Sequence, residues 1–262
     1  MRKIRMGRLA ATATVLWLLS SFALWAQSDR EFHWSGKLAP DQVVEIKGVN
    51  GEIEAEAASG DTVEVTAEKS GPDSQDVRIV AVPSPEGVTI CALYAGSGSE
   101  CKPGKSWHVE NVHGDRTRVH FLVRVPPSVR FSGNNINGDV NAENMGQVVH
   151  ASTVNGAVRI STKAWAEASS VNGSIDASMG TADWNGKLRI HSVNGSIRLT
   201  LPDTVNSDVK FSSVNGRLST DFPLTVDGSL NGRHVEGRIG SGGRELELET
   251  VNGNVDLRKG TL

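Results

Sequence analysis

Arg189-Ile190-His191-Ser192-Val193-Asn194-Gly195-Ser196-Ile197-Arg198-Leu199 is one copy of a block that returns through most of the chain. Apolar residues hold every second place on both sides of its Val-Asn-Gly triplet: Leu188 and Ile190 before it, Ile197 and Leu199 after it. Period-two alternation makes each flank a β-strand with one buried face. Asn-Gly between two such strands is either a tight hairpin turn or the corner of a β-solenoid, where the chain turns and stacks on the rung below.

The copies place the triplet at Asn50-Gly51, Asn137-Gly138, Asn155-Gly156, Asn172-Gly173, Asn194-Gly195, Asn215-Gly216 and Asn252-Gly253, with a degenerate one at Asn231-Gly232. From Asn137 onward the Asn-to-Asn steps are 18, 17, 22, 21, 16 and 21 residues. The residue before each triplet is usually Ser or Thr, as at Thr153, Ser170, Ser192, Ser213 and Thr250. In a two-residue hairpin Val193 would point away from Ile190 and Leu199, leaving a recurrent apolar residue on a wet face. A corner can turn that residue inward, with the Ser/Thr and Asn stacked in register between rungs. The favoured fold class is therefore all-β, a β-solenoid built from Val-Asn-Gly repeats with a less regular β-rich N-terminal part. Expected strands in that part are Gln42–Lys47, Glu52–Ala57, Thr62–Lys69, Val77–Val82, Val88–Tyr94, Trp107–Val112 and Arg116–Val125. The division is residues 1–26 as a leader, 27–131 as early rungs or a capping region, and 132–262 as the repeat array.

The leader reading rests on Arg2, Lys3, Arg5 and Arg8, an uncharged run from Leu9 to Leu24, and a small residue at Ala26. That is the layout of a secretory signal peptide. The 18-residue apolar stretch ending at Ala26 also has the length of an uncleaved anchor. Either way the chain is exported, to the periplasm, cell surface or exterior. Removing the leader leaves 23 Lys and Arg against 30 Asp and Glu, a net charge of −7. No basic footprint for nucleic acid remains. Cys91 and Cys101 are the only cysteines. An even count in an oxidising destination points to a disulfide, which would contribute about 2.7 kcal/mol by closing its loop.

The recurring Ser/Thr-Val-Asn-Gly-x-Ile/Val block, the exported N-terminus and Val125-Pro126-Pro127 before the array resemble the bacterial "putative adhesin" β-strand-repeat domains of unknown function. The resemblance runs from about Glu31 to Leu262. It implies a β-solenoid, no established catalytic residues and an adhesin-like role.

Candidate chemistry is sparse. Trp107 to Asp115, with His108, Glu110 and His113, is a dense polar cluster near His120, but its spacing fits no zinc motif. No metal or cofactor is assigned. Acidic residues of the array, such as Asp139, Glu167, Asp176 and Asp208, recur at no fixed rung position, and no G-x-S-x-G elbow occurs. Trp165 and Trp184 lie in segments opposite the Asn-Gly corners and are the candidate binding pair, flat apolar faces for sugar rings. The expectation is a non-enzymatic envelope or surface protein presenting its solenoid to a polysaccharide or protein partner. The alternatives are a polysaccharide-active lyase or hydrolase on the same fold, and a scaffold without ligand.

Overall fold

The structure, a computed structural model, describes residues 30–98, 100–104, 116–226 and 234–260. The leader, the strand expected at Trp107–Val112 and the degenerate corner at Asn231-Gly232 lie outside the described residues. Within them the regular secondary structure is all β-strand, apart from one 3-10 turn at Ser74–Asp76.

The N-terminal part holds β1 (Glu31–Gly36), β2 (Val43–Lys47), β3 (Ile53–Ala57), β4 (Val63–Ser70), β5 (Val77–Ser84), β6 (Gly87–Tyr94) and β7 (Arg118–Val125). Then come β8 (Arg130–Asn134), β9 (Val140–Met145), β10 (Val149–Asn155), β11 (Val158–Thr162), β12 (Ala166–Asn172), β13 (Ile175–Met179), β14 (Lys187–Asn194) and β15 (Ile197–Leu201). The C-terminal part adds β16 (Ser207–Asn215), β17 (Leu218–Thr220), β18 (Leu224–Val226), β19 (His234–Ile239), β20 (Arg244–Asn252) and β21 (Val255–Lys259).

One rung is a strand, a corner, and a second strand in the opposite sheet. The A sheet runs β1-β4-β7-β3-β9-β11-β13-β15-β21-β17, and the B sheet runs β18-β19-β16-β20-β14-β12-β10-β8-β2-β6-β5. The two strands flanking each Asn-Gly therefore lie in different sheets. The solenoid reading is correct and the hairpin is excluded. Rung strands pair in parallel and in register, as Val149↔Ala166 and Asn155↔Asn172 illustrate. Antiparallel strands close the ends: β4 on β7 and β5 on β6 at one, β19 on β16 at the other. One hydrophobic core joins both sheets, with Ile190, Leu199, Phe211, Leu248 and Leu257 fully buried.

The rungs do not stack in chain order. The last rung, β20/β21, inserts between β14/β15 and β16/β17. At the other end the first rung, β2/β3, sits between β6/β7 and β8/β9.

The corner chemistry differs from the expectation in one respect. In the array the Ser/Thr faces inward and the triplet's valine faces out, whereas Val49 at the first corner is buried, 3% exposed. Thr153, Ser170, Ser192, Ser213 and Thr250 are buried, whereas Val154, Val171 and Val214 are 39%, 39% and 54% exposed. The reason is a backbone carbonyl. From Gly138 on, each corner glycine packs against the carbonyl of the glycine before it in the stack, and that oxygen, pressed between rungs, needs a donor. The hydroxyl supplies it: Thr153 donates to Gly138 O at 2.9 Å, Ser170 to Gly156 O at 2.9 Å, Ser192 to Gly173 O at 3.0 Å and Thr250 to Gly195 O at 3.0 Å. Valine cannot do this, so the strand phase that puts the hydroxyl inside puts valine outside. The asparagines stack as expected. Each Nδ2 donates to the Oδ1 of its neighbour at 2.7–2.8 Å, in the order Asn215, Asn252, Asn194, Asn172, Asn155, Asn137, Asn50.

Candidate binding face

The outward residues of the B sheet follow from the same alternation. On β10 they are His150, Ser152 and Val154; on β12, Glu167, Ser169 and Val171; on β14, Arg189, His191 and Val193. β20 continues with Glu247, Glu249 and Val251, and β16 with Lys210, Ser212 and Val214. In-register parallel pairing turns these triads into three columns across the sheet.

The first column alternates in charge. His150 Nδ1 lies 3.0 Å from Glu167, and Arg189 Nε lies 2.6 Å from Glu247, which Lys187 also meets at 2.8 Å. The Lys187 hydrogen bond, and then that of Arg189, holds the Glu247 carboxyl below its ordinary value. Glu245 is likewise lowered, chiefly by Lys210. Lowered carboxylates favour the folded state above their unfolded pKa and lose that contribution as pH falls. These are exposed pairs, and each contributes little.

The second column is small at Ser152 and Ser169. Ser152 donates to Asn134 at 2.8 Å. Between taller neighbours these serines floor a trough of about 360 Å³, lined by Asn134, His150, Glu167, Arg189 and His191. The third column is valine. Val154, Val171 and Val214 are the only large apolar residues exposed among the described residues, and all three belong to it. The asparagine ladder borders the valines at the corner.

The two candidate tryptophans part company. Trp165 is half-buried beside the first column, its ring 5.7 Å from His150 in an edge-on arrangement. Trp184 is 1% exposed, and its Nε1 donates to Glu245 O at 3.1 Å. Trp184 is a core residue and not half of a binding edge: with its one polar atom satisfied by the backbone, the rest of the ring gains from burial. Trp165→Ala is expected to cost about 1–2 kcal/mol, since only part of the ring leaves the core. A denaturant titration checks it; a cost as high as that of a fully buried Trp would remove Trp165 from the accessible face.

Cys91 and Cys101 are bonded, with Cα atoms 5.7 Å apart. The bond ties the following segment over the outer face of β2 and β6, where Glu45 and Lys47 are buried beneath it. Sequence reasoning missed this pair, because a Glu-x-Lys on a strand normally reads as solvated. His108, Glu110 and His113 lie outside the described residues.

The sequence profile of a family described as Toastrack DUF4097 matches residues 44–258. The chain belongs to this family. The matched span covers the Toastrack rungs from β2 to β21. Solved structures similar to this Toastrack chain include a "putative cell adhesion protein" from Clostridium sporogenes, 11% identical, covering 88% of this chain and all of that one, with a TM-score of 0.48. A "putative adhesin" from Bacteroides fragilis is 10% identical over 88% of this chain and 98% of that one, TM-score 0.30. Another from Parabacteroides merdae is 11% identical over 88% and 97%, TM-score 0.24. No curated protein matches. No helix among the described residues is long and apolar enough to cross a membrane.

Proposed function

We propose that this Toastrack protein is a non-enzymatic, exported envelope or surface protein whose B-sheet face holds an extended partner, an envelope polysaccharide before a protein. The observation that carries the reading is the valine column. A soluble fold ordinarily buries such residues or scatters them singly; here the exposed ones line up on one face. Apolar side chains on one side of the trough, serine hydroxyls on its floor and fixed charges on the other side suit a partner with apolar ring faces and hydroxyl edges. Parallel rungs repeat every 4.8 Å or so, which gives the face a regular spacing along the stack.

The test is a glycan array and a pull-down on envelope polysaccharide with the mature chain, repeated with Val154→Ser/Val171→Ser. The double variant should bind at least about tenfold more weakly with its melting midpoint nearly unchanged, because both side chains are exposed. Equal binding by the variant would move the contact off this face. Turnover of the same polysaccharides would replace the reading with an enzymatic one.

A further inference from the structure

We propose that Glu52, Glu54 and His120 form a binding site for one divalent cation of the zinc type. The site lies on the outer face of the A sheet, away from the valine column, and stands or falls independently of it.

Two neighbouring strands build it. Ile53 pairs with Phe121 across β3 and β7, so the residues on either side of Ile53 and the one before Phe121 share the outward face. One ligand atom from each of Glu52, Glu54 and His120 lies within 4.8 Å of the other two. His120 Nε2 is already 3.4 Å from Glu54 Oε2. Three donors at zinc distances in a tetrahedral arrangement stand roughly 3.4 Å apart. The set therefore needs only a small contraction, which the torsions of two glutamates can supply while the strands stay in place.

Three further observations favour a cation. The Glu52 carboxylate is oriented by Asn141, whose Nδ2 donates to Oε1 at 2.7 Å and leaves the other oxygen open. Such an outer partner is what fixes a carboxylate ligand. Second, the two carboxylates carry two negative charges against one imidazole, whereas Glu56 and Asp139 on this sheet each meet a full cation, Arg124 and Arg159, at 3.0 Å. Third, Glu52 and His120 line a cleft of about 690 Å³ with Asn50, Ser70, Arg118 and Asn137. Three protein donors leave a fourth position open, and here it would face that cleft. One imidazole with two carboxylates selects a zinc-type ion over calcium or magnesium, which take oxygen ligands. Arg116 and Arg118 both stand on the cleft wall; Arg116 meets Asp73 at 2.9 Å, and Arg118 opposes the ion.

The experiment uses the purified, disulfide-bonded protein after chelation and dialysis, titrated calorimetrically with zinc chloride alone, then calcium chloride. Expected is one saturable zinc site of micromolar affinity or better, no comparable calcium site, and a melting midpoint that rises with zinc. His120→Ala and Glu52→Gln/Glu54→Gln should each weaken zinc binding at least tenfold and remove the thermal shift. Both variants should melt like the parent without zinc, because the side chains are solvent-facing. His150→Ala should change nothing. Zinc binding that survives in His120→Ala and in the double glutamine variant, or that is absent from the parent, overturns the site.

Discussion

Gly195→Ala is expected to lower the unfolding free energy by about 3 kcal/mol, and Gly195→Val by no less. The cause is contact and not backbone conformation. Gly195 is not among the positive-φ glycines, although Gly51 and Gly138, at the first two Asn-Gly corners of the stack, are. A Cβ on Gly195 would lie 2.0 Å from Gly173 O and 2.4 Å from Gly173 C, both backbone atoms. That oxygen also receives the Ser192 hydroxyl, so pushing it away breaks a part-buried hydrogen bond. Neighbouring corners repeat the contact: Gly173 would meet Gly156 O at 1.8 Å, and Gly253 would meet Gly195 O at 2.1 Å. The two explanations separate experimentally. If φ were the constraint, Asn would be the best replacement at 195; with contact as the constraint, Ala, Asn and Val all fail. Gly186 is the converse, with φ +71 and nothing within 4 Å. There Asn should be tolerated better than Val. Denaturant midpoints for these variants decide it. A Gly195→Ala protein within 0.5 kcal/mol or so of the parent would mean that the corners do not close as tightly as described.

Lys47→Met should cost about 3–5 kcal/mol. Lys47 is 1% exposed, and its ammonium donates to Lys102 O at 2.6 Å and lies 3.4 Å from Glu45 Oε1. Glu45, 7% exposed, also accepts from Thr89 Oγ1 at 2.8 Å and from Gly104 N at 3.2 Å. Removing the lysine leaves a buried carboxylate without its cation. Glu45→Gln/Lys47→Met should recover much of the loss, because an amide can keep acceptor contacts without a buried charge. Equal losses in the single and double variants would show that packing under the disulfide-tied segment, and not the charge, sets the cost.

Much of this architecture was legible in the chain. The alternation around Val193-Asn194-Gly195 places both strands, and the asparagine repeat marks the corners. The cysteine pair was readable from its even count and the oxidising destination expected from the leader. The valine's direction was not, because hydrophobicity argues for burial while the deciding term is a glycine carbonyl one rung away. Nor was the rung order: copies as alike as β14/β15, β16/β17 and β20/β21 offer nearly equivalent pairing surfaces, so sequence similarity does not say which lies between the others. Trp184 was misjudged because its partner Glu245 O is 61 residues away. β1 was missed although Phe32 and Trp34 alternate, a short signal next to a presumed leader. The trough depends on Ser152 and Ser169 standing beside His150, Glu167 and Arg189, a juxtaposition that appears only once the rungs are stacked.

The most direct test of the central claim is a methyl and side-chain amide NMR titration of the protein with soluble envelope polysaccharide. The expected result is saturable shifts confined to the methyls of Val154, Val171 and Val193 and the Nδ2 groups of Asn155, Asn172 and Asn194. Shifts centred instead on residues of the opposite face, such as Ala157 and Thr200, or no saturable shifts with any envelope polymer, would contradict it.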